Sequence, residues 1–272
     1  MRARHRHSCP WPNLIRPGHS HSRHVQNQVA NAKLLIQTLL DSALVRDSPY
    51  THFLALPIPA ASHEPEAHAR LQALQASIVA DASPTLPAGV RLANIALSEM
   101  HLTLCMLRLP TPDLVARAAR VLKSLSPSVY DAVGTQTVLA RLSGLGTFGD
   151  RKRSTLVYVG VDEVEGDRLA KLTKVLVDGF VKEGLVPKDE ARMPNLHLTL
   201  IRAKSNNNNA DRDNVRSRDA RPVFDATQVL EKYRDTLVAA KLRIPSVQLL
   251  RREKVDGPQG SHYALEAEIA LP

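Results

Sequence analysis

At 272 residues with 43% hydrophobic content, the chain can bury a sizeable core as one large domain or two small lobes, which excludes wholesale disorder. Lysine and arginine outnumber aspartate and glutamate by 36 to 27, and the formal charge of +9 favours anionic partners such as nucleotides, RNA or phosphorylated surfaces. Only Cys9 and Cys105 are present, which excludes a disulfide framework and suits a reducing compartment, the cytoplasm or nucleus.

Residues 1–24 are rich in Arg, His and Pro, with no acid and no apolar periodicity, the composition of a disordered basic tail. An Arg-rich, acid-free start also fits a mitochondrial presequence, although the prolines and clustered histidines suit an amphipathic helix badly. No Cys or carboxylate pattern accompanies His5, His7, His19, His21 and His24, so they read as solvated side chains. Residues 25–48 read as an amphipathic helix and linker. Val29, Leu35, Ile36, Leu39, Leu40 and Ala43 share a face over Val25–Val45, and Gln37, Thr38 and Asp41 rule out a membrane span.

From residue 49 the pattern becomes regular. It predicts a strand over Thr51–Ile58, a helix over Glu64–Ala80, and extended segments over Val90–Leu97 and Met100–Leu107. A helix over Asp113–Leu125 starts at Thr111 or Pro112. Strands follow at Thr137–Leu145 and Ser154–Val161, then a long helix over Glu163–Glu183 ended by Gly184. His197–Ala203 is a strand, Ser205–Pro222 a polar insertion with an Asn run, and Ala226–Asp235 a helix. Leu242–Arg251 and His262–Leu271 close the chain as strands.

The tetrapeptide His-Leu-Thr-Leu occurs twice, at His101–Leu104 and His197–Leu200, each time inside a predicted strand. Composition alone predicts about 0.01 copies, so the repetition is informative. Alternation puts His101 and Thr103 on one face, about 7 Å apart, with Leu102 and Leu104 behind them, and His197 and Thr199 are arranged identically. Cys105 is expected on the His101 face by the same rule, while its simpler reading is a small packed hydrophobe. Strand, helix, motif strand, helix, strand recurs in each half. The expected fold is therefore α+β, bilobal and duplicated, with two mostly antiparallel sheets and packed helices around a central cleft. The lobes fall roughly at 49–150 and 151–272, allowing for chain exchange between them.

Two imidazoles suit phosphodiester cleavage, which needs one group to take a proton from the attacking oxygen and another to protonate the leaving oxygen. Their ordinary pKa of about 6.5 lets one be neutral and the other charged near neutrality. Thr103 and Thr199 can donate to nonbridging phosphate oxygens. Neither copy has a neighbouring Asp, Glu or second His at ligand spacing, so no metal and no cofactor is expected. Gly144–Gly149 has dinucleotide-fingerprint spacing but leads into a strand rather than a helix, so it reads as a tight connection, with Phe148 placed to stack on a base. Arg151–Arg153 reads as a solvated turn before a phosphate contact or nuclear signal. Arg202 and Lys204 follow the second motif, and alternation places Arg202 on the face opposite His197.

With Thr51-His-Phe-Leu-Ala-Leu-Pro-Ile, Leu142-Ser-Gly-Leu-Gly-Thr-Phe-Gly and the Tyr263 strand, the two His-x-Thr strands make residues 49–271 resemble the 2H phosphoesterase superfamily. Within it they resemble the A-kinase anchoring protein 7 type of domain, also found in subunit 1 of the activating signal cointegrator 1 complex. No Gly-x-x-Gly segment precedes the domain, so the KH module of that subunit is not expected. The resemblance implies a metal-independent phosphodiesterase acting on RNA-like, 2′,5′-linked or cyclic-phosphate nucleotides, with His101, Thr103, His197 and Thr199 as its catalytic residues. It leaves open an alternative, non-catalytic binding of a nucleotide such as AMP or a scaffold or coactivator-type module with a protein partner. A monomer is expected.

Overall fold

The computed structural model describes residues 48–164, 166–206, 221–257 and 260–272. The expected basic tail, the amphipathic segment of residues 25–48 up to its last residue, and positions 207–220 of the polar insertion lie outside the described residues. No helix among the described residues is long and apolar enough to cross a membrane.

Nine strands are described: β1 (His52–Pro57), β2 (Val90–Asn94), β3 (His101–Leu107), β4 (Leu139–Gly146), β5 (Leu156–Glu163), β6 (His197–Ser205), β7 (Leu237–Arg243), β8 (Ser246–Gly257) and β9 (Gly260–Ala270). The five described α-helices are α1 (Pro65–Ala82), α2 (Pro112–Ser124), α3 (Ser126–Val133), α4 (Arg168–Lys182) and α5 (Thr227–Lys232). The strands lie in the order β7-β4-β5-β6-β3-β1-β8-β9, with β2 beside β6, and every pairing is antiparallel. The fold is α+β, as the sequence pattern predicts. Its two sheet halves join through a single residue pair, Leu102 opposite Leu198. Neither half is a contiguous stretch of chain: β4 lies beside β5 and β7, whereas β8 and β9 lie beyond β1 and β3.

Local chemistry accounts for the element boundaries. Thr111 caps α2, its Oγ1 accepting from the Leu114 N–H at 3.3 Å, and Pro112 occupies the first turn where no N–H is needed. Helix α4 starts five residues later than the pattern predicts because Glu163 ends β5 and turns its carboxylate to the helix, accepting from the N–H groups of Leu169 and Ala170. Gly184, at φ +69°, closes α4, and the Leu185 N–H reaches back to the Phe180 carbonyl. The expected strand Leu242–Arg251 is divided between β7 and β8 around Ile244-Pro245, where proline has no N–H for a ladder. Helix α3, absent from the sequence reading, is a short segment that follows α2 directly, with proline in its first turn and Gly134 at its end.

A continuous apolar core lies behind the motif strands and includes Leu102, Leu104, Leu198 and Leu200. Full burial of a leucine side chain contributes about 1.5–3 kcal/mol, so these four positions hold both motif strands to the core. A buried glutamine crosses the same region. Gln75 of α1 donates from Nε2 to the carbonyls of Ile95 (2.9 Å) and Leu200 (2.8 Å), and the Leu200 carbonyl also accepts from the Ile95 N–H. Gln75→Leu should therefore lower stability by about 1–3 kcal/mol, read as a lower urea midpoint with unchanged slope. An unchanged midpoint would show that these bonds do not hold the segment.

Candidate active site

The two motif copies meet where β3 and β6 pair. Antiparallel register around Leu102 and Leu198 sets His101 across from Thr199, and Thr103 across from His197. The leucines point into the core, so all four polar side chains share the other face. Beyond the motif, the edge of β6 is taken by β2, from Asn94 opposite Ile201 to Val90 opposite Ser205.

Each motif strand carries an irregularity at the same position. Against β1, Leu54 pairs with Cys105 and Ala55 with Thr103, so Leu104 is the extra residue of a bulge. Against β5, Val157 pairs with Ile201 and Tyr158 with Thr199, so Leu200 is the extra residue. A bulge reverses the alternation that follows it. Two expectations change as a result. Cys105 turns away from the His101 face and packs against the main core, where burial pushes its thiol up to about 12. Arg202 turns onto the His197 face and lines the cleft instead of pointing away from it. The equivalent position of the first copy is Met106, which lines the cleft too.

The histidines are held alike. His101 Nδ1 lies 2.7 Å from the Glu99 carbonyl, and His197 Nδ1 lies 2.8 Å from the Asn195 carbonyl, two residues upstream in each case. A carbonyl oxygen only accepts, so each Nδ1 carries a proton and Nε2 is the ring nitrogen available for chemistry. Each ring also lies against one Phe and one Tyr. Around His101, Phe53 and Tyr263 have centroids at 4.7 and 5.4 Å. Around His197, Phe148 and Tyr158 lie at 4.8 and 5.1 Å. Gly146 makes room for this second group, since a Cβ there would come within 2.5 Å of the Tyr158 ring.

A cavity of about 600 Å³ holds His101, Thr103, His197 and Thr199 together, with Phe53 and Tyr263 in its lining. Both threonine side chains line this cavity. Four cations, Arg202, Lys204, Arg252 and Lys254, face a single carboxylate, Glu99, across the lining. Glu99 is buried and bound to Lys254 Nζ at 2.6 Å. Three positive charges are left to attract an anion. Burial holds the His101 imidazole below its ordinary value; the Glu99 carbonyl opposes the shift, and the positive charges of Arg202 and His197 add to it.

Phe148 is 46% exposed at the rim, with its ring edge-on to His197, so it faces both solvent and the site. Arg151–Arg153 form an exposed 3₁₀ turn and do not line the cleft. Sequence reasoning missed Phe53, Tyr263, Arg252 and Lys254 as cleft residues, and Tyr158 as a ring beside His197. The strands carrying Phe53 and Tyr263 gave a usable signal through their resemblance to the family pattern. Arg252 and Lys254 reach the site because β8 and β9 shift register between Leu250 and Lys254.

Residues 50–271 match the AKAP7 2′5′ RNA ligase-like domain family. No curated protein matches the chain. Among solved structures, TT0787 of Thermus thermophilus is similar with a TM-score of 0.50 and 18% identity, over 81% of this chain and 97% of that one. E. coli LigT, solved with NADP+, has a TM-score of 0.45 and 17% identity over 83% and 99% of the two chains. Kluyveromyces marxianus Usb1, solved with uridine monophosphate, has a TM-score of 0.40 and 15% identity over 82% and 98%. At these identities the likeness to solved structures concerns the fold alone. The family match spans the whole sheet and both motif strands, and the protein belongs to the AKAP7 2′5′ RNA ligase-like domain family of the 2H phosphoesterase superfamily.

Proposed function

We propose that the protein is a metal-independent phosphodiesterase acting on RNA-like, 2′,5′-linked or cyclic-phosphate nucleotides, with His101, Thr103, His197 and Thr199 as its catalytic residues. The observation that carries this reading is the placement of two equivalent His–Thr pairs across one cation-lined cleft. A site for nucleotide binding alone has no need of two proton-transfer groups with free Nε2 atoms.

The scissile phosphate lies between the motifs, its nonbridging oxygens accepting from the Thr103 and Thr199 hydroxyls. Arg202, Lys204 and Arg252 offset its charge. His101 is the base. Its depressed pKa keeps Nε2 unprotonated, ready to take a proton from water or a ribose hydroxyl as that oxygen bonds to phosphorus. His197 is the acid and passes its Nε2 proton to the leaving oxygen as the old P–O bond breaks. The two histidines finish with their protonation states exchanged, and solvent restores them.

Phe148 and the other rings beside the histidines fix their orientation and exclude water from one side of each. The exposed part of Phe148 also offers a face on which a base can stack. No group of three or more His, Cys, Asp or Glu suited to holding a metal occurs among the described residues, and the mechanism assigns every proton and charge to side chains.

Turnover of 2′,3′-cyclic nucleotides and of 2′,5′- and 3′,5′-linked oligonucleotides in EDTA tests the reading. His101→Ala and His197→Ala should each lower kcat by about 10²–10⁴ while nucleotide binding is retained. Full binding with no turnover of any of these substrates by wild type would establish a binding module instead.

The pH profile tests the assignment of the base. Activity should fall on the acid side with an apparent pKa below about 6.5, because protonated His101 accepts no proton. Arg202→Gln removes a cation that disfavours protonation, so this limb should move to higher pH. A limb that stays in place or moves down would contradict the assignment.

A further inference from the structure

The polar face of β6 continues past the histidines. After the bulge at Leu200 it carries Arg202 and Lys204, so His197, Thr199, Arg202 and Lys204 follow one another at intervals of about 7 Å. Strand β2 widens this row. Leu92 and Ala203, paired across the two strands, pack against the main core, which leaves Arg91, Ala93, Arg202 and Lys204 on the opposite, cleft-side face. Ala93, Arg202 and Lys204 line the cavity, and Arg91 stands exposed directly opposite Lys204, outside that lining. Among the described residues β2 pairs with β6 only, so Arg91 lies at an open edge of the sheet.

The pairing of Arg91 with Lys204 is unfavourable for the sheet itself. Like charges directly opposite on neighbouring strands repel, with Cβ atoms about 4.5–5.5 Å apart. Neither β2 nor β6 carries an Asp or Glu to offset the pair. Arg202 adds a third positive charge two residues from Lys204 on the same face. An anion held between the two side chains replaces their repulsion with two charge-assisted contacts.

We propose that Arg91 and Lys204 form a second phosphate subsite, which takes the phosphate that flanks the one held between the histidines. Arg202 stands between the two positions and faces both. A ligand that fills both subsites carries two phosphates on one ribose, as every interior nucleotide of a strand does. A cyclic mononucleotide or a nucleoside monophosphate fills only one. The preferred substrate class is therefore a nucleotide strand, laid along β6 toward the β2 edge, with its charged backbone following the row of cations. The inference rests on the phosphate site proposed above.

The test uses the full chain and calorimetric binding at low salt, where screening is weak. The probes are the 2′-, 3′- and 5′-monophosphates of adenosine and its 2′,5′- and 3′,5′-bisphosphates, which contain no phosphodiester and so report binding without turnover. The better bisphosphate should bind about fivefold to tenfold more tightly than either of its parent monophosphates. In Arg91→Gln that gain should fall to about twofold while monophosphate binding is unchanged, and Arg91→Lys should keep most of it. Lys123→Gln, the same loss of charge on the exposed surface of α2, should leave the gain intact. A gain that wild type lacks, that survives Arg91→Gln, or that Lys123→Gln removes equally would overturn the subsite and leave the cleft reading intact. Failure of every nucleotide to bind would overturn both. Stability gives a second readout: Arg91→Gln relieves a like-charge pair and should not lower the urea midpoint, whereas a lower midpoint would make Arg91 a residue of the fold and overturn the assignment.

Discussion

The two halves of the sheet meet through Leu102 and Leu198, fully buried residues paired across antiparallel strands, and the site depends on that meeting. An antiparallel pair has local twofold symmetry through its centre, so identical tetrapeptides on the two strands present equivalent groups to the space between them. Each histidine then stands across from the other copy's threonine. Because leucine alternates with histidine and threonine, the core and the site are opposite faces of the same residues. Loss of the leucine packing would disturb the polar constellation directly.

The symmetry covers the reacting groups and stops at their surroundings. Both imidazoles donate from Nδ1 to a carbonyl two residues upstream, and both lie against a Phe and a Tyr. After the bulges, however, the first copy places Met106 in the cleft and the second places Arg202 there. Glu99, bound to Lys254, belongs to the His101 side. A phosphodiester has unlike attacking and leaving oxygens, and an asymmetric setting around symmetric acid and base groups lets one be neutral while the other is charged.

The motif strands, the helix start at Thr111 and the α+β class were legible in the sequence because each rests on short-range rules: alternation, capping and repetition. The bulges were not. Leu104 and Leu200 are ordinary strand residues, and what makes Leu200 the extra residue is its setting, with β5 on one side and the Ile95 N–H and Gln75 side chain satisfying its carbonyl. Gln75 stands 125 positions away in sequence. For that reason alternation misplaced Cys105 and Arg202, although it placed the four motif residues correctly. The division at Pro245 and the Glu163 contacts with α4 were legible in principle, since both turn on the chemistry of one residue.

The central claim is that both motif copies act on one phosphate, and side-chain nitrogen NMR during titration with a nucleoside monophosphate tests it most directly. The account predicts that the Nε2 resonances of His101 and His197 move together, with one dissociation constant and one nucleotide per chain. Separate midpoints, or a response from only one histidine, would contradict it.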